Sequence, residues 1–511
     1  MTPREPSRAI TLVWAVAGLA AAAFYFGWLL QPERVGIAWL FGALVVADLF
    51  NAFHALSFWA TCLRRPRERV RRAPARPPRV DVFIPTLNEP AEVLEPTIRA
   101  AAAMRGAHLR VIVLDDGGRL EIAALARRLG VQYLARTERG GAKAGNINHA
   151  LRVTDRGGAP YVCVFDSDHV PRPQFLERTL PLFADERMAL VQTPQVYANA
   201  DRGPLTRGAA EQQAIFFGPI CAGRDGFGAA FCCGTNFVAR RATLDAAGGF
   251  PEDSITEDIV LSTRLIGLGC EIAYVGEPLA DGLGPEDAKS YASQQLRWAT
   301  GCLDLLLRRP SLWRSLSWAQ RWQFFVATSY WLTGWTILVY LSLPVMRLLF
   351  GWQPIGADAE GFTLHFLPYF AVAIVNLARF TSGGYSIRGL LLNWGSFPLH
   401  IRATFRALLG RSRGFSVTSK SALSGVAWGA LAPNVACVAV IASAVVVGLA
   451  GGVTPAIVNN VSFALLDAVL VGSLAALALR QSRVLRAGEA RTDVAAEPPR
   501  EAIASAAGGA G

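Results

Sequence analysis

Six stretches of this chain are apolar enough, and long enough, to cross a bilayer, and they are grouped at its two ends. A spanning helix needs about 20 mostly apolar residues. Segments 9–30 and 36–63 meet that length before the middle of the chain; 322–350, 362–380, 426–451 and 455–479 meet it afterwards. The first is too long for a removable signal peptide and lacks a small-residue cleavage site. Between the two groups, residues 80–305 have the charge and turn content of a soluble domain. Overall the chain is 52% hydrophobic and 17% charged, whereas a soluble domain carries about 25% charged residues. A plain cytosolic enzyme, a small secreted scaffold and a disordered protein are excluded, and a membrane protein with a soluble insert remains.

Charge assigns sides to the loops. Residues 351–361 and 451–454 contain no Lys or Arg, whereas 64–80, 386–420 and 480–491 are rich in Arg. Both termini and the insert in the cytoplasm satisfy the positive-inside rule. The net charge is +11, but eight arginines fall between Arg64 and Arg79, directly after the second span. That placement reads as a topogenic or lipid-facing stretch rather than a nucleic-acid surface. Segments 301–322 and 386–409 mix Trp, Leu and Phe with Arg, as amphipathic helices at the cytoplasmic interface do. The Ala-, Gly- and Glu-rich tail after Arg491 is expected to be disordered. The cysteines form no CxxC pair and the histidines no HExxH spacing, so a structural zinc site is not expected.

The insert alternates β-branched runs (81–85, 109–114, 131–135, 161–165, 189–192) with helical stretches such as 92–104, which predicts a mostly parallel sheet covered by helices on both faces. Ligands in such sheets bind beyond the carboxyl ends of the strands. There the chain carries Thr86-Leu87-Asn88-Glu89, Asp115-Asp116-Gly117-Gly118 and Asp166-Ser167-Asp168. Two carboxylates one residue apart can hold a hard divalent cation against a diphosphate, although Asp also builds ordinary turns. The loop Gly140-Gly141-Ala142-Lys143-Ala144-Gly145-Asn146 holds one of only three lysines, against 47 arginines. A compact ammonium there suits phosphate, without the P-loop pattern. Thr256-Glu257-Asp258 precedes a helical run over 259–266. It reads either as a cap, with Ser254 or Thr256 capping, or as the site of a general base, Asp258. Gln294-Gln295-Leu296-Arg297-Trp298 sets an amide, a guanidinium and an indole on adjacent turns, fit to hold a leaving diphosphate and a sugar ring, or to dock an amphipathic helix on the membrane.

In chain order these motifs complete the pattern D, DxD, TED, QxxRW. The chain thereby resembles the membrane-embedded processive β-glycosyltransferases of family 2, specifically the bacterial cellulose synthase catalytic subunit and its relatives. The likeness extends to Pro85–Pro90, Ala142–Asn146, Gln192-Thr193-Pro194, Phe231-Cys232-Cys233-Gly234-Thr235 and Phe415–Lys420, and covers about 80–420. It implies an α/β GT-A (Rossmann-like) cytoplasmic domain over 80–305, inserted between α-helical transmembrane segments, about six in all. Two helices then occupy 1–63 and a basic linker 64–79. Interface helices, a gating loop and four spans occupy 306–480, and a disordered cytoplasmic tail 481–511.

The resemblance implies a UDP-forming hexosyltransferase that polymerises glucose from UDP-glucose into a β-glucan, inverting the anomeric centre, and passes it across the bacterial inner membrane. A curdlan or mixed-linkage glucan synthase, or a non-processive transferase acting on a lipid carrier, is the alternative. By the same resemblance Thr86, Glu89, Asp115 and Asp116 bind uridine, Lys143 and His169 contact the diphosphate, and Asp166 and Asp168 hold Mg²⁺ or Mn²⁺. Asp258 is the base, with Glu257 beside it. Gln294 and Arg297 line the diphosphate side, and Cys233 and Trp298 hold the acceptor. Phe415, Val417, Thr418 and Lys420 form the gating loop. Phe324, Phe325, Tyr330, Trp331 and Trp335 are candidates to stack sugar rings along a channel. The implied partners are a UDP-sugar, the growing polysaccharide chain, the lipid bilayer and a periplasmic accessory subunit, with no nucleic acid. About 30 residues follow the last span, so a C-terminal PilZ regulatory domain is not expected. Phe231-Cys232-Cys233-Gly234-Thr235 departs from the usual Phe-Phe-Cys-Gly-Ser, which leaves the linkage open.

The topology has a direct check. Green fluorescent protein fused after Arg491 should fluoresce, and alkaline phosphatase fused at Ile355 should be active; the opposite pattern would invert the assignment.

Overall fold

A computed structural model describes residues 8–154, 158–380, 387–410 and 426–496. Its six apolar helices, Ala9–Leu29, Ala38–Leu63, Trp318–Phe350, Glu360–Arg379, Trp428–Ala450 and Pro455–Ala487, are long enough to cross a membrane. They match the segments expected from hydropathy. The two N-terminal spans join the four that follow the insert to make one bundle: the first span packs on the fourth, the second on the third, and the third on the fifth and sixth.

Polar side chains mark one of these contacts. Asp48 is 4% exposed and accepts hydrogen bonds from the hydroxyls of Tyr25 and Tyr340, each at 2.7 Å. Asn51 donates to Tyr340 Oη at 2.9 Å. Farther along the second span, Ser57 accepts from Trp322 Nε1 at 3.1 Å, and Thr61 accepts from Gln323 Nε2 at 2.9 Å. Residues 48 and 51, and 57 and 61, are two pairs at helical spacing; the first pair meets Tyr340 and the second meets Trp322 and Gln323 of the third span. Hydrocarbon offers such groups no partner, which drives them together.

The insert is an α/β domain. Ten strands are described: β1 (Arg79–Thr86), β2 (His108–Asp115), β3 (Gln132–Leu134), β4 (Tyr161–Val164), β5 (Val170–Pro171), β6 (Met188–Gln192), β7 (Val196–Tyr197), β8 (Phe237–Arg240), β9 (Glu271–Tyr274) and β10 (Ala280–Gly282). The main sheet has the order β3-β2-β1-β4-β8-β6-β9, parallel except for β8, which runs antiparallel to β4 and β6. Strands β5, β10 and β7 form a small second sheet. Alternate side chains of the same strands enter two cores, one on each face. Phe83, Ile112, Leu114, Val162 and Val164 go to one; Val82, Ile84, Val111, Val113 and Cys163 go to the other. That period of two, with both faces buried, is why these strands read as nearly continuous apolar runs. In register, Thr86 pairs with Asp115, so the ends of β1 and β2 deliver their polar tails to the same edge. Strands β8 and β9 are not among the runs expected from the sequence.

Part of the arginine-rich segment after the second span is tied into the insert domain, while Arg65, Arg71, Arg72, Arg76 and Arg79 stay exposed. Asp225, fully buried, accepts from Arg67 N at 2.9 Å, Arg69 Nη1 at 2.8 Å and Tyr274 N at 2.9 Å. Arg69 also pairs with Glu271 at 3.6 Å, and Arg64 lies 5.3 Å over the Phe227 ring. The segment is a strap that binds the second span to the edge of the sheet. Arg224, 2% exposed, makes a second tie: it donates to the Gln323 carbonyl at 2.6 Å and sits between Phe231 and Phe324 at 4.5 and 5.1 Å. Phe324 is therefore part of the domain's packed core and does not face a channel.

Local differences are few. The Glu257–Gly267 helix starts after Thr256, whose side chain makes no capping bond; Ser254 Oγ instead accepts from Thr256 N at 3.3 Å. The last helix continues to Ala496, so the segment from 481 to there is helical rather than disordered. The expected gating-loop residues Phe415, Val417, Thr418 and Lys420, and the tail from 497, lie outside the described residues.

Asp225→Ala should strand three donors, the Arg69 guanidinium among them. Loss of one partner from a buried charged network costs about 3–5 kcal/mol, so the thermal unfolding midpoint of the detergent-purified protein should fall markedly, whereas Arg99→Ala, which removes an exposed pair, should leave it nearly unchanged.

Candidate active site

The cleft opens where the ends of β1, β2 and β4 converge. Its lining includes Thr86, Glu89, Asp116, Lys143, Asp166, Asp168, His169, Cys233, Glu257, Asp258, Gln294, Arg297 and Trp298. Motifs more than two hundred residues apart are thus brought to one wall.

Neighbouring acids at the end of β2 have different fates. Asp115 is fully buried and accepts from Gly117 N at 2.9 Å, Arg119 N at 2.7 Å, the Arg119 guanidinium at 3.1 Å and Tyr133 Oη at 3.0 Å. Its carboxylate builds the turn and does not line the cleft. Asp116 points the other way, into the cleft, where Arg136 grips both oxygens at 2.6 and 2.8 Å. At the end of β1, Glu89 Oε2 accepts from Thr86 Oγ1 and Leu87 N, both at 2.8 Å. Gly117 is required for closeness: a Cβ there would lie 2.4 Å from the Leu87 carbonyl.

Across the cleft, Lys143 Nζ donates to Asp166 and, at 2.7 Å, to the Gly234 carbonyl. Gly234 has φ +81°, and a Cβ on it would meet Asp258 Oδ2 at 3.2 Å. The Phe231–Thr235 loop is held in turn by Gln192 Oε1, which accepts from Cys233 N at 2.7 Å, and by Gln195 Nε2, which donates to the Cys233 carbonyl at 2.9 Å. Asp168 is buried and accepts from Leu283 N at 3.3 Å. His169 packs its ring against Gly282, where a Cβ would come within 2.5 Å.

Glu257 and Asp258 open their helix with both side chains turned toward the cleft. Burial, and then the charge of Glu257, push the Asp258 carboxyl up to about 7. Glu257 is also raised by burial, with Lys143 and Arg297 working against the rise. The helix bearing Gln294, Arg297 and Trp298, Ala288–Arg308, reaches this spot because Gly301 has no side chain: a Cβ would lie 2.2 Å from Thr256 Cγ2. A carboxyl that titrates near neutrality, opposite a lysine and an arginine, can take a proton from a nucleophile while the cations receive a departing anion.

The donor set fits a divalent cation only in part. Asp166 and Asp168 are two hard carboxylates, one already engaged by Lys143, and among the described residues no group of three or more His, Cys, Asp and Glu could hold a metal. Hard cations take six or more oxygens, so a cation here needs further oxygens from its ligand, such as a diphosphate.

Sequence reasoning missed Arg119, Arg136, Gln195 and Tyr197. In a chain with 47 arginines, nothing local distinguishes two that clamp acids. Tyr197 and Gln195, which line the cleft, sit on a stretch with no helical or strand period.

A protein-family model described as "Glycosyltransferase like family 2" matches residues 77–301. The chain is 32% identical to a "Cellulose synthase catalytic subunit [UDP-forming]" of Pseudomonas fluorescens (strain SBW25), over 96% of this chain and 68% of that protein. It is also 32% identical to "Putative cellulose synthase 2" of Komagataeibacter xylinus, over 88% of this chain; there it spans only about a third (31%) of the relative's length. Among solved structures, a mannosyltransferase from Pyrobaculum calidifontis in complex with GDP-Man and Mn²⁺ superposes with a TM-score of 0.50 at 18% identity, over 72% of this chain and 99% of that one. This last likeness is one of fold.

Proposed function

The chain belongs to the family 2 glycosyltransferases related to the bacterial cellulose synthase catalytic subunit, and from that premise we propose that it is a processive, inverting UDP-glucose transferase that makes a β-glucan and passes it through its own membrane bundle. The observation that carries the reading is Asp258: a buried carboxyl raised to about 7, set against Gly234 and across from Lys143 and Arg297 in one cleft.

The chemistry follows from that arrangement. The acceptor hydroxyl, held by Trp298 and the Cys233 loop, gives its proton to an Asp258 oxygen as its own oxygen bonds to the anomeric carbon. The bond from that carbon to the diphosphate breaks on the opposite face, so an α-linked donor yields a β product. UDP leaves with the electron pair, and Lys143, Arg297 and Gln294 receive the negative charge. Glu89 and Asp116 face the uridine end, with Thr86 held against Glu89. A Mg²⁺ or Mn²⁺ ion at Asp166 and Asp168 would supply further neutralisation of the diphosphate, which His169 would also contact. Because Asp115 is spent on the turn, it acts on the nucleotide only through the position of Asp116. Glu257 keeps the proton affinity of Asp258 high. The catalytic domain belongs on the cytoplasmic side of the bacterial inner membrane, where the nucleotide sugar is available, and the strap and the Arg224 contact hold the domain on the bundle.

The reading is tested with the reconstituted protein, Mg²⁺ and labelled UDP-glucose, with digestion of the insoluble product by β-1,4- and β-1,3-specific glucanases. Polymer cut only by the first is the expected result. Sensitivity to the second would move the product to curdlan or mixed-linkage glucan, and labelled lipid without polymer would replace processive synthesis with single transfer. Asp258→Asn should lower the rate by about 10²–10⁴-fold, the usual worth of a general base, with expression retained. Since the base must be deprotonated and its affinity for protons is raised, the rate should climb with pH up to about 7 and fall about tenfold per unit below it. Chelation by EDTA should stop synthesis, with Mg²⁺ or Mn²⁺ restoring it.

A further inference from the structure

Asp116 faces the cleft from the end of β2, Lys143 faces it from a glycine-rich loop, and one side chain joins them. The Arg136 guanidinium gives Nε and Nη2 to the two oxygens of Asp116 at 2.6 and 2.8 Å, Nη1 to the Gly140 carbonyl at 2.6 Å, and Nη2 also to the Ala142 carbonyl at 2.9 Å. Its side chain is 6% exposed. The loop in its grip is not relaxed: Gly141 and Ala142 have φ of +71° and +47°, and a left-handed alanine persists only where its surroundings hold it. Gly145 leaves the room for this, since a Cβ there would lie 2.1 Å from the Gly140 oxygen and 2.7 Å from Arg136 Nη1. Lys143 follows Ala142 directly and points to Asp166 and the Gly234 carbonyl.

We propose that Arg136 is a positioning residue that sets the spacing between the nucleobase side and the diphosphate side of the cleft, so that a nucleoside diphosphate engages both at once. The proposal rests on the nucleotide-sugar reading above. It depends on the planar, forked guanidinium, which reaches a carboxylate and two carbonyls in one plane; a lysine ammonium is a point charge on a flexible stem and cannot bridge all three. With the strut gone, the 141–142 turn relaxes and carries Lys143 off the diphosphate, while Asp116 still meets the base side. Gly145→Ala pushes on the same strut from the opposite direction, without removing any polar group.

Calorimetric titration of the full-length, detergent-purified protein with UDP and with UMP, in Mg²⁺, tests this for wild type, Arg136→Lys and Gly145→Ala. UMP is too short to need both sides. Its affinity should stay within about twofold of wild type in both variants, while UDP weakens about tenfold, a loss of roughly one charged contact. UDP binding unchanged in the variants would overturn the proposal, as would equal weakening of UDP and UMP, which is what a merely structural role predicts. A wild-type protein that takes up no UDP would overturn the nucleotide-sugar reading itself, and the role of Arg136 with it.

Discussion

Glu89, Asp116, Asp166, Asp168, Glu257 and Asp258 line a single cleft, and carboxylates drawn that close out of bulk water repel one another. At an effective dielectric constant of about 20, two like charges 4 Å apart cost on the order of 4 kcal/mol. The surrounding architecture answers that repulsion group by group. Arg136 takes Asp116, Lys143 takes Asp166, and Arg297 lowers the proton affinity of Glu257. Asp258 is left facing Glu257 with little relief, and its proton affinity rises toward neutrality. The crowding that would destabilise an empty fold thus raises one carboxyl into the range that the proposed base needs. It also makes the cleft receptive to a ligand that arrives with its own cation.

The domain that holds these charges in register is itself tied to the membrane spans. The Asp225 strap ties the second span to β9, Arg224 ties the domain to the third, and the helix carrying Arg297 and Trp298 lies on Thr256 through Gly301. Within the bundle, the Asp48 pair of tyrosine bonds fixes the second span against the first and third. The domain that carries the cleft is thus joined to the bundle by buried polar contacts.

Much of this plan was legible in the residues. Hydropathy located all six spans, because lipid imposes the same length and polarity on any helix that crosses it. The strands ending at Thr86, Asp115 and Val164 were readable from their β-branched runs, and so was the acidic edge beyond them. What hydropathy concealed was the polar pairs Asp48 and Asn51, and Ser57 and Thr61, which a window average dilutes among apolar neighbours. Charge counting concealed the strap, because an arginine bound to Asp225 and one bound to a lipid headgroup look identical in a sequence.

Residue type and local spacing by themselves determined which chemistry was at hand: acids and glycines at strand ends, one lysine in a loop, an acid pair at a helix start. Only the tertiary structure decided which acid does what. Asp115 and Asp116 are adjacent and chemically identical, yet in an extended chain successive side chains point to opposite sides. One is consumed by its turn and the other opens on the cleft. Arg136 and Asp116, twenty residues apart, became partners only once β2 and the loop before Lys143 were folded together. Local sequence carries periodicity and polarity; the choice among equivalent partners depends on distances that exist only after the chain has closed on itself.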